Sequence, residues 1–353
     1  MRIGVDGRKI PEAAERGPFK GLDHAKEMGV EGLFFRSVFE MSPKLDPGEM
    51  ADLRAKADSM DMYLETGLGK VNPFATPEAP ELRIAGDGDI LLGLTRMMEA
   101  CARIGCLELW IGTANYKGIY RGMRAYDRFR TDVSWEDQLA ATAKFLHKLA
   151  PVARDLGIHL NVETHEEITT FECVRLVEEI GPDVMGIVFD TCNVLQRAED
   201  PVMAARRIAP YVRQTHVKDM ALWFGEQHVH RQGRSCGDGV VDFRAILPIL
   251  AEHRPNLNLS IENPNVRGAI GITEIYDPIW TAAHPDLTVV EFAAWIRLIK
   301  NFEKRVERGE TVAPDVVQAQ PFGYDEAVNY ITDAAAYMRG IITECGLPGS
   351  DVR

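Results

Sequence analysis

The sequence has no CxxC pair, no apolar run of membrane length and no glycine-rich fingerprint after its first strand-like segment, and each gap removes a class of protein. Six cysteines (Cys101, Cys106, Cys173, Cys192, Cys236, Cys345) are scattered through 353 residues. Neither a disulfide framework nor a thiolate zinc site is therefore expected, and the thiols read as reduced and mostly buried. No stretch approaches the roughly 18–20 apolar residues that span a bilayer, and the opening MRIGVDGRKI lacks the apolar segment of a secretory signal. No membrane partner is expected, and a cytoplasmic location is the default. Positive charge is also scarce: 40 Lys and Arg against 53 Asp and Glu give a formal charge of −13. That balance opposes phosphate backbones and argues against nucleic acid as a partner, while leaving room for a local basic patch. No internal repeat or low-complexity segment is present.

What the chain does have is alternation. With 46% hydrophobic residues it can fill a large core. Short β-branched or aromatic runs at 2–7, 32–37, 62–69, 107–112, 159–165, 185–191, 212–219 and 257–263 are separated by segments with helical spacing. Local signals support the helices: Gly29 as a C-cap, Pro47 in a first turn, and Ser134 with Asp137 three residues on, close to a capping box. Eight βα units predict an α/β fold, a (β/α)8 TIM barrel over 1–286, with a C-terminal helical extension over 287–353 packed on it. A doubly wound open sheet is the alternative, but its usual dinucleotide fingerprint is missing.

In such a barrel the chemistry gathers at the carboxyl ends of the strands. The fifth run ends in Glu163 and His165, the sixth in Asp190, the seventh carries His216, and the eighth ends in Glu262. Three carboxylates and one imidazole form an oxygen-rich set suited to one divalent metal ion, Mn²⁺ first, with Mg²⁺, Co²⁺ and Zn²⁺ as alternatives. Glu163 and His165 sit at i and i+2, so on a strand both face one side while Thr164 faces away. His165 is then placed to reach past the metal toward substrate as an acid or base, or to serve as a hydrogen-bond partner behind the ligands.

The segments VETH, VFDTCN, THVKD, GDGVVDF and IEN resemble the sugar-phosphate isomerase/epimerase-like superfamily, the xylose isomerase-like TIM barrels, over residues 1 to 300. The resemblance implies that Glu163, Asp190, His216 and Glu262 bind one divalent metal and that Glu163 and Glu262 act as a proton-shuttling pair. A histidine often follows the metal aspartate by three residues in the ketose 3-epimerases; here that residue is Asn193. The chain is also similar to the barrel subunits of bacterial C-glycoside deglycosidases, which act on 3-keto sugars and pair with a small β-rich subunit. It is thereby expected to bind a sugar or glycoside, to assemble as an oligomer, and to act as a lyase on 3-keto C-glycosides. The alternatives are a keto-sugar isomerase or epimerase and a barrel that has lost catalysis and serves as a binding or assembly subunit. The superfamily's multi-zinc DNA-repair branch is disfavoured, because this chain offers one histidine where several are needed.

Further candidates surround this set. Arg36 and Lys218 are expected to contact substrate or to pair with buried acids, and Asn193 and Arg234 to contact substrate. His228 and His230, with Arg231 and Arg234, fall on a Gly-rich segment (227–239) read as a mobile lid or surface pair. Trp110, Tyr116 and Tyr120 follow the fourth run, where they can stack on a sugar or an aryl group or simply pack the core.

Overall fold

The computed structural model describes residues 1–75, 79–262 and 270–349. Strands β1 (Arg2–Asp6), β2 (Gly32–Phe34), β3 (Tyr63–Lys70), β4 (Glu108–Gly112), β5 (His159–Glu163), β6 (Met185–Asp190) and β7 (Val212–Val217) lie side by side in parallel. The chain then turns back as a hairpin, β8 (Asp219–Phe224) and β9 (Val229–Arg234), before β10 (Asn258–Ile261) pairs with both β7 and β1 and closes an eight-stranded barrel. This is the expected (β/α)8 architecture.

The helices begin where the sequence offers a side chain for the free N–H groups of the first turn. Asp46 accepts from the Glu49 N–H ahead of α2 (Pro47–Ser59), and Ser134 accepts from Asp137 ahead of α5 (Trp135–Asp155). Thr169 and Glu172 form a reciprocal capping box on α6 (Thr170–Ile180), and each such cap is worth about 1 kcal/mol. The first helix, α1 (Ala13–Glu27), starts earlier than its periodicity suggests. It is broken at Gly17 (φ +64°), and the segment after Pro18 is the one the spacing predicts.

Two segments differ from the sequence reading. Residues 229–234 form a strand instead of a loop, and β11 (Ile270–Thr273) pairs antiparallel with β9 to give a small sheet ordered β11-β9-β8 beside the barrel mouth. The glycines at 233 and 271 obscure its alternation. Residue 263 of the expected eighth strand lies outside the described residues.

The C-terminal helices cover two faces. Helix α10 (Val289–Glu307) packs on β8, with Trp295, Ile299 and Phe302 buried. Helix α12 (Tyr324–Glu344) packs on α8 (Phe243–His253), β1 and β10, burying Ile331, Ala334, Met338 and Ile341. It covers the β10–β1 seam, where a barrel needs its eighth helix. Among the described residues no helix is long and apolar enough to cross a membrane.

Inside the barrel, side chains stack in layers. Phe34, Trp110 and Val188, from alternate strands β2, β4 and β6, make a buried apolar layer. Polar groups at the amino-terminal end bond to one another: Glu65 accepts from Asn258 (2.9 Å) and Ser260 (3.3 Å), and Tyr63 Oη reaches Ser260 Oγ at 2.9 Å. Gly4 and Gly32 make room for the Tyr63 ring, which a Cβ at either position would strike.

Candidate metal centre and active site

The carboxyl ends of four neighbouring strands deliver Glu163, Asp190, His216 and Glu262 to one point, each offering a ligand atom within 4.8 Å of the others. Register explains the convergence. Asp190 and His216 are paired residues of β6 and β7, and Ser260 pairs with His216, so Glu262 emerges one pleat further up, directly after β10. Thr164 and Thr191, each following a ligand, turn outward and bond across to the next strand.

Each ligand is held by its surroundings. Glu163 accepts from Trp110 Nε1 (2.9 Å) and pairs with His216 Nδ1 (2.9 Å). Asp190 Oδ1 accepts from the Cys192 and Asn193 N–H groups, both at 2.8 Å. Phe34 meets the His216 ring edge-on at 4.5 Å. His216 Nε2 is buried and has no hydrogen-bond partner among the described residues. The nitrogen that faces the carboxylates is Nδ1, 2.9 Å from Glu163 Oε1 and 3.7 Å from Glu262 Oε2. Three buried carboxylates converging on one imidazole fit a cation, because taking each charge out of water costs several kcal/mol unless an opposite charge is near.

Cations of the chain supply part of that compensation. Lys218 Nζ lies 2.8 Å from Asp190 Oδ2 and 3.1 Å from Glu262 Oε2. Arg36 bridges Asp6 (2.7 Å) and Glu262, and Lys9 stands 3.7 Å from Glu262 Oε1. Burial alone raises a carboxyl's pKa. At Glu262 it is overcome by Arg36, Lys218, His216 and Lys9, and the group titrates well below its ordinary value. At Asp190 burial, with Glu262 and Glu163 adding to it, outweighs Lys218, and the pKa is raised. The cluster is still short of positive charge at that position.

His165 does not share a strand face with Glu163. β5 ends at Glu163, and the His165 N–H turns back to the Glu163 carbonyl at 2.7 Å, so the pleat argument stops one residue early. Its Nδ1 instead pairs with Glu167, a wholly buried carboxylate that also accepts from Thr113 Oγ1 at 2.6 Å. The Glu167 carbonyl is held by Arg128 (3.0 Å), itself locked to Glu172. Burial would lower the imidazole pKa, but Glu167 more than reverses it and the value is raised; burial is likewise overcome by His165 at Glu167, whose pKa is held at about 2. The ring remains 14% exposed at the mouth. Lys70, from the end of β3, lies over the Trp110 ring at 5.0 Å, its pKa lowered by burial against the pull of Glu167 and Glu163.

Above the ligands opens a cleft of about 620 Å³, lined in part by Lys9, Tyr116, Tyr120, Lys218, Arg231 and Glu262. Arg231 crosses from β9 to Glu166 and to Tyr126 Oη (2.9 Å), tying the small sheet to the mouth. Arg234 does not join it. Three residues on along the same strand it faces the opposite side, over the Phe302 ring of α10. His228 and His230 are also apart from the ligands; their rings meet at 4.4 Å, and His230 stacks on Trp223. Asn193 is buried beside Asp190, with its Oδ1 unpartnered among the described residues. Trp110 is an interior residue that orients Glu163, while Tyr116 and Tyr120 are exposed at the rim. Sequence reasoning missed Lys9, Lys70 and Glu167. Lys9 and Lys70 sit at or just past the ends of β1 and β3, where the rule that found the metal set applies equally, and Glu167 lies two residues after His165.

Comparison with known proteins agrees with this geometry. The model of the xylose isomerase-like TIM barrel family matches residues 22–298. An uncharacterized protein of Escherichia coli K12, YihM, is 26% identical over 60% of this chain and 65% of its own length. Inosose dehydratase 1 of Bacillus cereus is 25% identical over 33% of this chain and 44% of its own, so the chain spans less than two thirds of either relative. A crystal structure of D-psicose 3-epimerase has the same fold, with a TM-score of 0.61 at 16% identity over 97% of this chain and 99% of that one. The closed barrel, the site at its carboxyl end and the extent of the family match place the chain in the xylose isomerase-like TIM barrel family.

Proposed function

We propose that the protein is a divalent-metal-dependent enzyme that removes the proton beside a sugar carbonyl and completes the reaction by elimination, cleaving a 3-keto C-glycoside. The observation that carries this reading is the buried group of three carboxylates and one imidazole, with ligand atoms within 4.8 Å of one another and Glu262 on the wall of a cleft. A divalent ion held by Glu163, Asp190, His216 and Glu262, with Mn²⁺ the first expectation, would polarise a carbonyl and its neighbouring hydroxyl. Glu163 and Glu262 approach the substrate carbon from two strands, and one of them takes its proton. The electron pair left on that carbon becomes a carbon–carbon double bond as the bond to the aglycone breaks. His165, oriented through Nδ1 by Glu167, delivers a proton to the departing aglycone from its outer nitrogen. Lys218 and Arg36 keep Glu262 in place and ionised.

Inosose dehydratase, a relative by sequence, is named for an elimination, which supports that outcome. Isomerisation or epimerisation of a keto-sugar is the second reading, supported by the glutamate pair and by the fold shared with D-psicose 3-epimerase. The β-rich partner subunit and an oligomeric state belong to the proposal and are tested by the native mass. Incubation of metal-loaded protein with a 3-keto C-glycoside in D₂O separates the outcomes. Release of the aglycone supports the lyase; deuterium beside the carbonyl without release supports the isomerase; neither overturns both.

A further inference from the structure

The cleft is richer in positive charge than a chain of net charge −13 leads one to expect, with Lys9, Arg121, Lys218 and Arg231 all on its wall. Three of the four are engaged: Lys218 with Asp190 and Glu262, Lys9 with Glu262, and Arg231 with Glu166. Arg121 is exposed and has no ion pair or hydrogen bond among the described residues. Its backbone is nevertheless fixed. Gly122 (φ +59°) lies so close to Glu274 that a Cβ would come within 2.5 Å of Oε1, and Met123 N–H donates to the same carboxylate. The Tyr120 and Lys117 N–H groups bond within the same loop, at 3.0 and 2.8 Å. Arg121 thus stands on a braced loop that lines the cleft together with Tyr116 and Tyr120.

We infer that the substrate carries an anionic substituent, a carboxylate or a phosphate, at the end remote from the carbon that loses its proton, and that Arg121 receives it. This rests on the metal-dependent reading above and narrows its substrate class to acidic glycosides. A guanidinium fork suits either anion, and the flanking phenols suit a planar group between the anion and the sugar.

The test is calorimetric binding to metal-loaded protein of phenyl β-glucoside, 4-carboxyphenyl β-glucoside and 4-phosphonophenyl β-glucoside, with metal content measured on the same samples. Wild type is expected to bind at least one anionic probe about tenfold or more tightly than the neutral one, and which of the two it prefers separates carboxylate from phosphate. Arg121→Gln should abolish that advantage and leave the neutral probe unchanged. Arg124→Gln, at an exposed neighbour outside the cleft, should retain it. Equal affinity for all three probes in wild type, or an advantage that survives Arg121→Gln, overturns the inference. Protein that holds no metal overturns the metal-dependent reading instead, so the two failures are distinct.

Discussion

Both ends of the barrel interior are polar and buried, yet they handle buried charge differently. At the amino-terminal end Glu65 is surrounded by neutral donors, Asn258 and Ser260, and burial lifts its pKa from 4.5 to about 7, so the carboxyl approaches neutrality by holding a proton. At the carboxyl end three carboxylates share one imidazole, Glu262 is driven to remain ionised by flanking cations, and His216 Nε2 has no partner among the described residues. Burial of polar groups is thus common to scaffold and site. What separates them is the company the carboxyls keep: Glu65 meets neutral donors, whereas Glu262 is held ionised by flanking cations and Asp190, whose pKa burial also raises, meets Lys218 at 2.8 Å.

The largest expected effect lies at the upper end. Glu262→Gln should abolish turnover and weaken metal binding by more than the roughly 10–100-fold that loss of an outer-shell partner costs; calorimetric metal titration reads it. His165→Ala should lower turnover by about 10²–10⁴ while metal stays bound, and full activity would remove its catalytic role. Glu167→Gln keeps the imidazole but loosens its orientation, so kcat should drop by about 10–100-fold with little change in KM. A loss equal to that of His165→Ala would show that orientation is all the histidine has to offer.

The smallest effect should lie at the lower end. Glu65→Gln should leave metal content and turnover intact and show itself only in stability. The folded pKa of Glu65 is raised, so its contribution is fully present below pH 4.5 and is lost as pH rises through about 7. The variant, which mimics the protonated group, should therefore gain on wild type above pH 7, by up to about 3 kcal/mol, and the gap should close near pH 4. Denaturant unfolding at the two pH values measures it. Loss of metal in this variant would break the distinction between the two ends.

The barrel and the four converging residues were legible in the sequence, because period-2 runs, helix caps and strand-end side chains are local patterns. The hairpin of β8 and β9 was not, since Gly225, Gly233 and Gly237 give its segment the composition of a loop. That misreading set Arg231 and Arg234 on equal terms; a strand puts them on opposite faces, one at the cleft and the other on α10. The pairing of His165 with Glu167 was hidden for the reverse reason. Strand geometry was extended two residues past Glu163, where the chain has already turned. The role of α12 at the barrel seam depends on packing across more than 300 residues, which no local pattern encodes.

The most direct test of the metal-centred account is elemental analysis of the purified protein beside its Asp190→Ala variant. The account predicts one divalent ion per chain in the parent and none in the variant. No metal in either protein, even after Mn²⁺ is supplied, would contradict it and leave the four side chains as a buried ion-pair network.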